Sequence, residues 1–164
     1  MNTAYAYLAI IEPPAGLDAV TNRLRIAPTR LKKKGTPRVP GATIVETSDT
    51  WILESPTGRG EYDLERHVRD LLAVLEPKKK DVAAVVGESS GCLTLVGYSE
   101  HANRQFSFTK EQLALIAELG VDVWCDIYFV AGEEMPNKAP EPTPTSVTPP
   151  AGAGVAPAAG VAHL

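Results

Sequence analysis

The sequence predicts an α+β domain, a two-layer sandwich in which helices cover one face of a mainly antiparallel four-stranded sheet, ferredoxin-like or related. Three observations predict this fold class. Stretches with the apolar period of a strand alternate with stretches that have the apolar period of a helix. The connections between helices and strands are short, and glycine or proline interrupts them. The last strand pattern alternates apolar and polar residues, as expected where only one sheet face is covered.

The predicted order is strand, helix, strand, one or two helices, strand, helix, strand. The strands are expected at Tyr5 to Ile11, Thr50 to Glu54, Cys92 to Tyr98 and Val121 to Phe129. The segment Arg30 to Thr43 holds two glycines and two prolines among its lysines, so it is predicted to be a long loop.

The helices are predicted from apolar residues that recur every three or four positions. Pro77 either kinks the second helix or opens a further one, because proline suits a first helical turn. Thr109 and Gln112 have the spacing of a capping box, and Gly120 stands where a terminating glycine belongs. The last helix therefore has both of its ends marked in the sequence.

Residues 1–133 are predicted to form a single domain, and residues 134–164 a disordered tail. Seven of the chain's fourteen prolines lie from Pro136 onward, in a stretch without aromatic residues. Such a segment buries too little apolar surface to offset the conformational entropy that folding removes.

The composition is that of a globular protein, with 44% hydrophobic and 22% charged residues in a chain of 164. The net charge of −4 argues against a protein that coats nucleic acid as a whole. Neither a signal-peptide pattern nor a membrane-length apolar stretch is visible, so a cytoplasmic protein is expected. Cys92 and Cys125 lie in apolar strand patterns and are expected to be buried core thiols.

The most unusual local feature is a run of basic residues without an intervening acid. Its members are Arg23, Arg25, Arg30, Lys32, Lys33, Lys34 and Arg38. A cationic patch attracts phosphate, nucleic acid or an acidic protein surface, because bound cationic side chains release counterions. The alternative is a solvated surface whose lysines pair with local acids. The absence of aromatic residues for base stacking favours this alternative and makes nucleic acid the less favoured partner.

The last strand offers a second candidate site. Asp122, Trp124, Asp126 and Tyr128 are predicted to share one sheet face, with the two carboxylates about 7 Å apart. That arrangement suits acid/base work or a cation site, with Trp124 as the floor of a pocket. The favoured alternative is structural: Asp126 pairs with an arginine and Trp124 packs. Trp51 in the second strand is the other tryptophan that is a candidate for lining a binding cavity.

No catalytic residue, cofactor site or metal site is predicted. His67, His101 and His163 have no partner at metal-ligand spacing. Ser89-Ser90-Gly91 lacks the context of a nucleophile elbow, and Gly58-Arg59-Gly60 lacks the rest of a phosphate-binding motif.

Four short motifs occur in a specific order along the chain. They are Ile26-Ala27-Pro28-Thr29, Lys34-Gly35, Trp51 and Asp126-Ile127-Tyr128. Together they resemble the bacterial family known as domain of unknown function 4279, and the likeness spans Tyr5 to Val130. The resemblance implies a small stand-alone bacterial domain and brings no activity or cofactor with it.

The expected function is that of a non-enzymatic protein-interaction module, with an immunity-like role suggested by analogy with other small domains. A protein partner fits the polarised charge and the missing catalytic set. The two alternatives are phosphate or RNA binding through Arg23 to Arg38, and an enzyme that uses Asp122 and Asp126. No cofactor and no membrane contact are expected.

Removal of the tail tests the domain boundary. A chain that ends after Glu134 should keep the fold and nearly the same thermal unfolding midpoint, because the removed residues are predicted to add no packed surface. Circular dichroism of the full and shortened chains measures both properties. A midpoint lowered by several degrees would show that the tail stabilises the domain.

Overall fold

A computed structural model of the chain describes residues 3–99 and 106–129. The strands are β1 (Thr3–Ile11), β2 (Arg30–Lys32), β3 (Thr50–Glu54), β4 (Ser90–Ser99) and β5 (Asp122–Phe129). The helices are α1 (Leu17–Leu24), α2 (Leu64–Leu75), α3 (Lys79–Gly87) and α4 (Lys110–Leu119), with a short 3₁₀ helix, Glu76–Lys78, between α2 and α3. The tail predicted for residues 134–164 lies outside the described residues, as do His101 and His163.

The strands form one sheet in the order β2-β3-β1-β4-β5. The pairings β2–β3, β3–β1 and β1–β4 are antiparallel, and the pairing β4–β5 is parallel. The predicted α+β class with a mainly antiparallel sheet is therefore confirmed. The ferredoxin-like arrangement is not confirmed, because β4 and β5, which α4 connects, are direct neighbours instead of being split by another strand.

A fifth strand lies within the segment predicted to be a loop. β2 runs along the outer side of β3 and pairs Arg30 with Ile52. It is three residues long and mostly polar, so its sequence has no apolar alternation that would reveal it. Beyond it the chain forms a hairpin, called here the basic arm (residues 33–46), which is closed by a bridge between Pro37 and Val45.

The helices cover one face of the sheet and bury a continuous apolar core against it. Alternate residues of β1 and β4 belong to this core, Leu8 and Leu95 among them. Trp51 of β3 is fully buried there, and its indole N–H donates to the Thr21 hydroxyl of α1 at 3.0 Å. The hydrogen bond satisfies the one polar atom of the indole, which would otherwise be costly to bury.

α2 has the clearest amphipathic pattern of the four helices. It begins at Asp63, whose carboxylate accepts from the backbone N–H of Glu65 and Arg66 at 2.9 and 3.2 Å. Its buried stripe consists of Leu64, His67, Val68, Leu71, Leu72 and Leu75. Pro77 lies in the first turn of the 3₁₀ helix, so the chain leaves α2 there and enters α3.

The predicted ends of α4 are confirmed. Thr109 and Gln112 form a reciprocal capping box, and Gly120 ends the helix in the left-handed conformation with a φ of 70°. α4 packs chiefly against α3. α4 therefore lies beside the helix-covered core and leaves most of β5 uncovered.

The other face of the sheet carries a second cluster of buried residues. It is called here the helix-free face, because no helix of residues 3–99 and 106–129 contributes to this cluster. Its members are Tyr5, Tyr7, Ala9, Ile52, Cys92, Val96 and Tyr98. Arg59 lies over the Tyr5 ring, with its Cζ 4.6 Å from the ring centroid, and donates to Glu54 at 2.6 Å. This cation–π contact helps to cover the aromatic rings on this face of the sheet.

Substitution of Leu71 tests the helix-covered core. Leu71→Ala should lower the free energy of unfolding by about 2–5 kcal/mol, because the fully buried side chain leaves a cavity. Urea denaturation followed by tryptophan fluorescence measures the change. The control is Leu113→Ala on α4, where the side chain is 51% exposed and the change should stay within about 0.5 kcal/mol. Equal losses for the two variants would contradict this packing.

Candidate interaction surface

β5 is an edge strand of the sheet, and both of its faces are largely exposed. Val123 is 37% exposed, Trp124 40%, Tyr128 43% and Phe129 63%. The expectation that one face of this strand is buried is wrong, because α4 packs against α3 and, among the described elements, only β4 contacts β5 extensively. No strand of the described residues pairs with the outer side of β5.

The register with β4 divides the side chains of β5 into two rows. The row on the helix-free face, called here the acidic–aromatic row, consists of Asp122, Trp124, Asp126 and Tyr128. It continues the face that carries the tyrosine cluster, and its members share one side as predicted. The row on the opposite face, called here the apolar row, consists of Val123, Cys125, Ile127 and Phe129.

Asp122 and Asp126 do not form a pair of cooperating carboxylates. They are four positions apart along an extended strand, so their Cα atoms are about 13 Å apart. The expected separation of about 7 Å is wrong, because it counts one side-chain repeat of the strand instead of two. In the described part of the chain, no group of three or more His, Cys, Asp or Glu residues could hold a metal ion.

The ring of Tyr128 is positioned by Tyr98. The two rings stack with their centroids 4.9 Å apart and their planes 12° from parallel. Because Tyr98 is buried, it fixes the ring of Tyr128 while much of that ring stays accessible. Burial raises the pKa of Tyr98, and the neighbouring Tyr128 and Asp126 raise it further. Its phenol is therefore neutral at physiological pH.

Tyr7 lies in the central strand of the helix-free face, between the two edges of the sheet. Burial raises the pKa of its phenol to about 12, a hydrogen bond with Thr94 lowers it, and the charges of Asp126 and Arg30 act in opposite directions. The face thus has an acidic side toward β5 and a basic side toward β2, with neutral phenols between them.

Cys125 is exposed and Cys92 is buried, so the expectation of a core thiol is confirmed for Cys92 and wrong for Cys125. Partial burial raises the pKa of the Cys125 thiol, and the nearby Asp126 raises it further. The thiol is therefore protonated at neutral pH and is a weak nucleophile. Because it lies on the edge strand with its side chain accessible, it marks the middle of the exposed edge.

The predicted basic cluster lies at the opposite end of the sheet, and three of its members have local counter-charges. Glu46, which is buried, pairs with Lys32 at 3.4 Å and with Arg38 at 3.8 Å. Arg23 pairs with Glu88 at 3.2 Å. This part of the cluster matches the alternative in which the basic residues pair with local acids.

The other members of the cluster lie on three elements. Lys33 and Lys34 are exposed on the basic arm, and Arg25 is exposed at the end of α1, where its φ is 54°. Arg30 is half-buried on β2. No ion pair is found for Lys33, Lys34 or Arg25 within the described residues, so these three side chains carry the net positive charge of this end of the domain.

The candidate site residues predicted from the sequence lie on separate surfaces of the domain. The basic strand β2 and the acidic–aromatic row of β5 lie at opposite edges of the sheet, four strand spacings or about 19 Å apart. Trp51 is buried on the helix-covered side and cannot contact a ligand together with Trp124. What the fold brings together is Trp124, Asp126 and Tyr128, all on one strand.

A cavity of about 350 Å³ beside the first turn of α2 was not predicted. The ends of β1, β4 and β5 line it together with Tyr62 and Phe106. Gly97 of β4 is one of the lining residues, and it packs so closely that a Cβ atom there would come within 3.1 Å of Cδ1 of Ile127. A glycine inside a strand pattern is the one sequence signal that points to such a position.

A family model described as Domain of unknown function (DUF4279) matches residues 2–130. The chain belongs to this family. The match confirms the resemblance drawn from the short motifs. No curated protein and no solved structure matches the chain. None of the helices in residues 3–99 and 106–129 is long and apolar enough to cross a membrane. Membership of the DUF4279 family brings no activity with it, so the observations that bear on function are the surfaces of the domain.

Removal of the Glu46 carboxylate tests how the basic arm is held. Glu46→Ala should lower the free energy of unfolding by about 1–3 kcal/mol, because Lys32 and Arg38 lose a counter-charge in a poorly solvated place. Urea denaturation measures the loss. The control, Glu88→Ala, removes the exposed pair with Arg23 and should change stability by less than about 0.5 kcal/mol. A loss no larger than the control's would show that the arm does not depend on Glu46.

Proposed function

We propose that this domain is a protein-interaction module whose β5 edge receives an extended segment of a partner. One observation carries the proposal: β5 is an eight-residue edge strand with exposed side chains in both rows and, within the described residues, no strand on its outer side. A segment added there as a further strand satisfies the free N–H and C=O groups of the edge.

β5 lacks most of the features by which proteins protect an edge strand. Such strands are commonly short, or carry proline or lysine. β5 spans eight residues without either. The opposite edge strand, β2, has only three residues, and Arg30 and Lys32 are two of them. The remaining protection on β5 is a pair of carboxylates, Asp122 and Asp126, which are confined to one row.

The exposed side chains of β5 are suited to bind a protein segment. Trp124 and Tyr128 are of the residue types that dominate binding energy at protein interfaces. The stacking of Tyr128 on Tyr98 fixes its ring before binding, which reduces the entropy lost when a partner arrives. A segment that fits would alternate apolar residues, for the apolar row, with hydrogen-bond donors or cations, for the acidic–aromatic row.

The alternative functions have less support. An enzyme that uses Asp122 and Asp126 requires carboxylates closer than two strand repeats allow. A phosphate or RNA site requires cations free to pair with phosphates, but Arg23, Lys32 and Arg38 have acidic partners. The exposed cations that remain are divided between the basic arm, with Lys33 and Lys34, and the end of α1, with Arg25. An immunity-like role, in which the domain binds and inhibits another protein, is one form that an interaction module can take.

A photo-crosslinking amino acid in place of Phe129 tests the proposal in the native cell. The matched control position is Ile44 on the basic arm, since both side chains are 63% exposed. We expect covalent adducts to a protein chain from position 129 and none, or far fewer, from position 44. Adding Trp124→Ala to the Phe129 variant should reduce the adduct yield, because it removes a large aromatic contact from the binding row.

Mass spectrometry of the adducts identifies the joined chain and whether the joined residues belong to an extended segment. Amide hydrogen exchange on the purified complex should then show slower exchange in β5 than in the free domain, because added strand hydrogen bonds protect the edge amides. Equal adduct yields from the two positions, or unchanged exchange in β5, would overturn the proposal.

A further inference from the structure

We infer that the segment that pairs with β5 is β5 of a second copy of this chain, in an antiparallel register centred on Cys125. The inference rests on the proposed function, because it names the partner of the same edge. It depends on the order of charged, aromatic and apolar residues along β5 and on their division into two rows.

The symmetry of such a dimer restricts the register. When a two-fold axis perpendicular to the sheet pairs a strand with its own copy, one residue must lie opposite itself. Directly opposite residues then share a face, so each row of β5 meets the same row of the copy. A register centred on Cys125 pairs Asp122 to Tyr128 with the copy, and one centred on Asp126 pairs Val123 to Phe129. Registers centred nearer to either end pair fewer residues.

Charge distinguishes the two longest registers. A centre at Asp126 places that carboxylate directly opposite its own copy, and like charges in this position are destabilising. A centre at Cys125 places Asp126 opposite Trp124 and Asp122 opposite Tyr128. The carboxylates are then on diagonals of about 7–8 Å, where water and salt screen them. A centre at Trp124 would place Asp122 opposite Asp126.

The Cys125 register is also complementary in hydrogen bonding and in apolar contact. The indole N–H of Trp124 and the phenol O–H of Tyr128 are donors, and the carboxylates opposite them are acceptors. On the other face Val123 lies opposite Ile127, which gives apolar pairs on both sides of the central cysteines. Of the two registers that pair seven residues, only the one centred on Cys125 therefore matches both rows of the strand to themselves.

The opposite edge strand, β2 of a second copy, is a less suitable partner for β5 than β5 of a second copy is. β2 has three residues, after which the chain turns away into the basic arm, so it cannot match eight residues of β5. Its basic side chains would attract the acidic–aromatic row, but β2-to-β5 contacts between copies are head-to-tail and produce rings or open chains of molecules instead of a two-fold dimer. The mass of the assembly therefore distinguishes the two arrangements.

Thiol oxidation of the full-length protein tests the register. Opposite Cβ atoms in an antiparallel pair are about 4.5–5.5 Å apart, close enough for a disulfide after a small shift. Diamide should join two chains through Cys125, and Cys125→Ser should abolish the product, because Cys92 is buried. In the Cys125→Ser background, Val123→Cys and Ile127→Cys should not cross-link alone but should cross-link when the two variants are mixed.

A charge exchange tests the pairing without a covalent bond. Trp124→Glu places a new carboxylate opposite Asp126 of the copy twice in each dimer, and it should raise the dissociation constant measured by sedimentation at least about tenfold. Adding Asp126→Lys should restore dimerisation, since position 124 then meets the opposite charge across the axis. In the register centred on Asp126 the same pair of changes would leave lysines facing each other and give no rescue.

The outcomes separate this inference from the proposed function. A dimer with Cys125 cross-links and charge-exchange rescue supports both. A monomer at all concentrations, with adducts to another protein from position 129, overturns the inference and leaves the proposed function standing. A monomer without those adducts overturns both. A dimer that survives Trp124→Glu, or oligomers larger than two chains, places the contact elsewhere and overturns the inference.

Discussion

β1 is paired along both of its sides and covered on both of its faces, and the position of every other strand depends on it. It pairs antiparallel with β3 from Tyr7 to Ile11 and with β4 along its whole length. Ala4 to Ile10 are all buried, with alternate side chains in the helix-covered core and in the tyrosine cluster. A strand so enclosed has one register with each neighbour, because a shift by one residue would exchange its two faces.

The strands on either side of β1 are less well covered toward the edges of the sheet, and the two edges differ from each other. α1, α2 and α3 lie over β1, β3 and β4, whereas α4 packs on α3 and leaves most of β5 uncovered. The short β2 ends the sheet on the other side and leads directly into the basic arm, which ion pairs to Glu46 hold in place. One edge is thus short and charged, and the other is long, aromatic and acidic. The second is the edge that suits a strand-shaped partner.

The chemistry of the helix-free face supports the binding role that we propose. Its phenols have raised pKa values because they are buried, so they are neutral and act as packing surfaces and hydrogen-bonding groups. The Cys125 thiol, which lies on the opposite face of β5, is likewise held in its neutral form. A surface of neutral aromatic groups with two carboxylates in a single row can select a partner by shape, apolar contact and hydrogen bonding.

The sequence by itself determined the features that arise within a few neighbouring residues. Alternation identified the long strands, the Thr109–Gln112 capping box and Gly120 bounded α4, and short motifs identified the family. Tertiary structure decided what depends on contacts between distant segments. β2 exists only because β3 lies beside it, and Trp51 and Trp124 are on opposite sides of the sheet because of pairing. Cys125 and Val123 have the same apolar strand pattern as buried residues of β4, yet they are exposed. Strand alternation specifies only which residues share a face of the sheet. Whether that face of β5 is covered depends on where α4 packs, and α4 packs chiefly against α3.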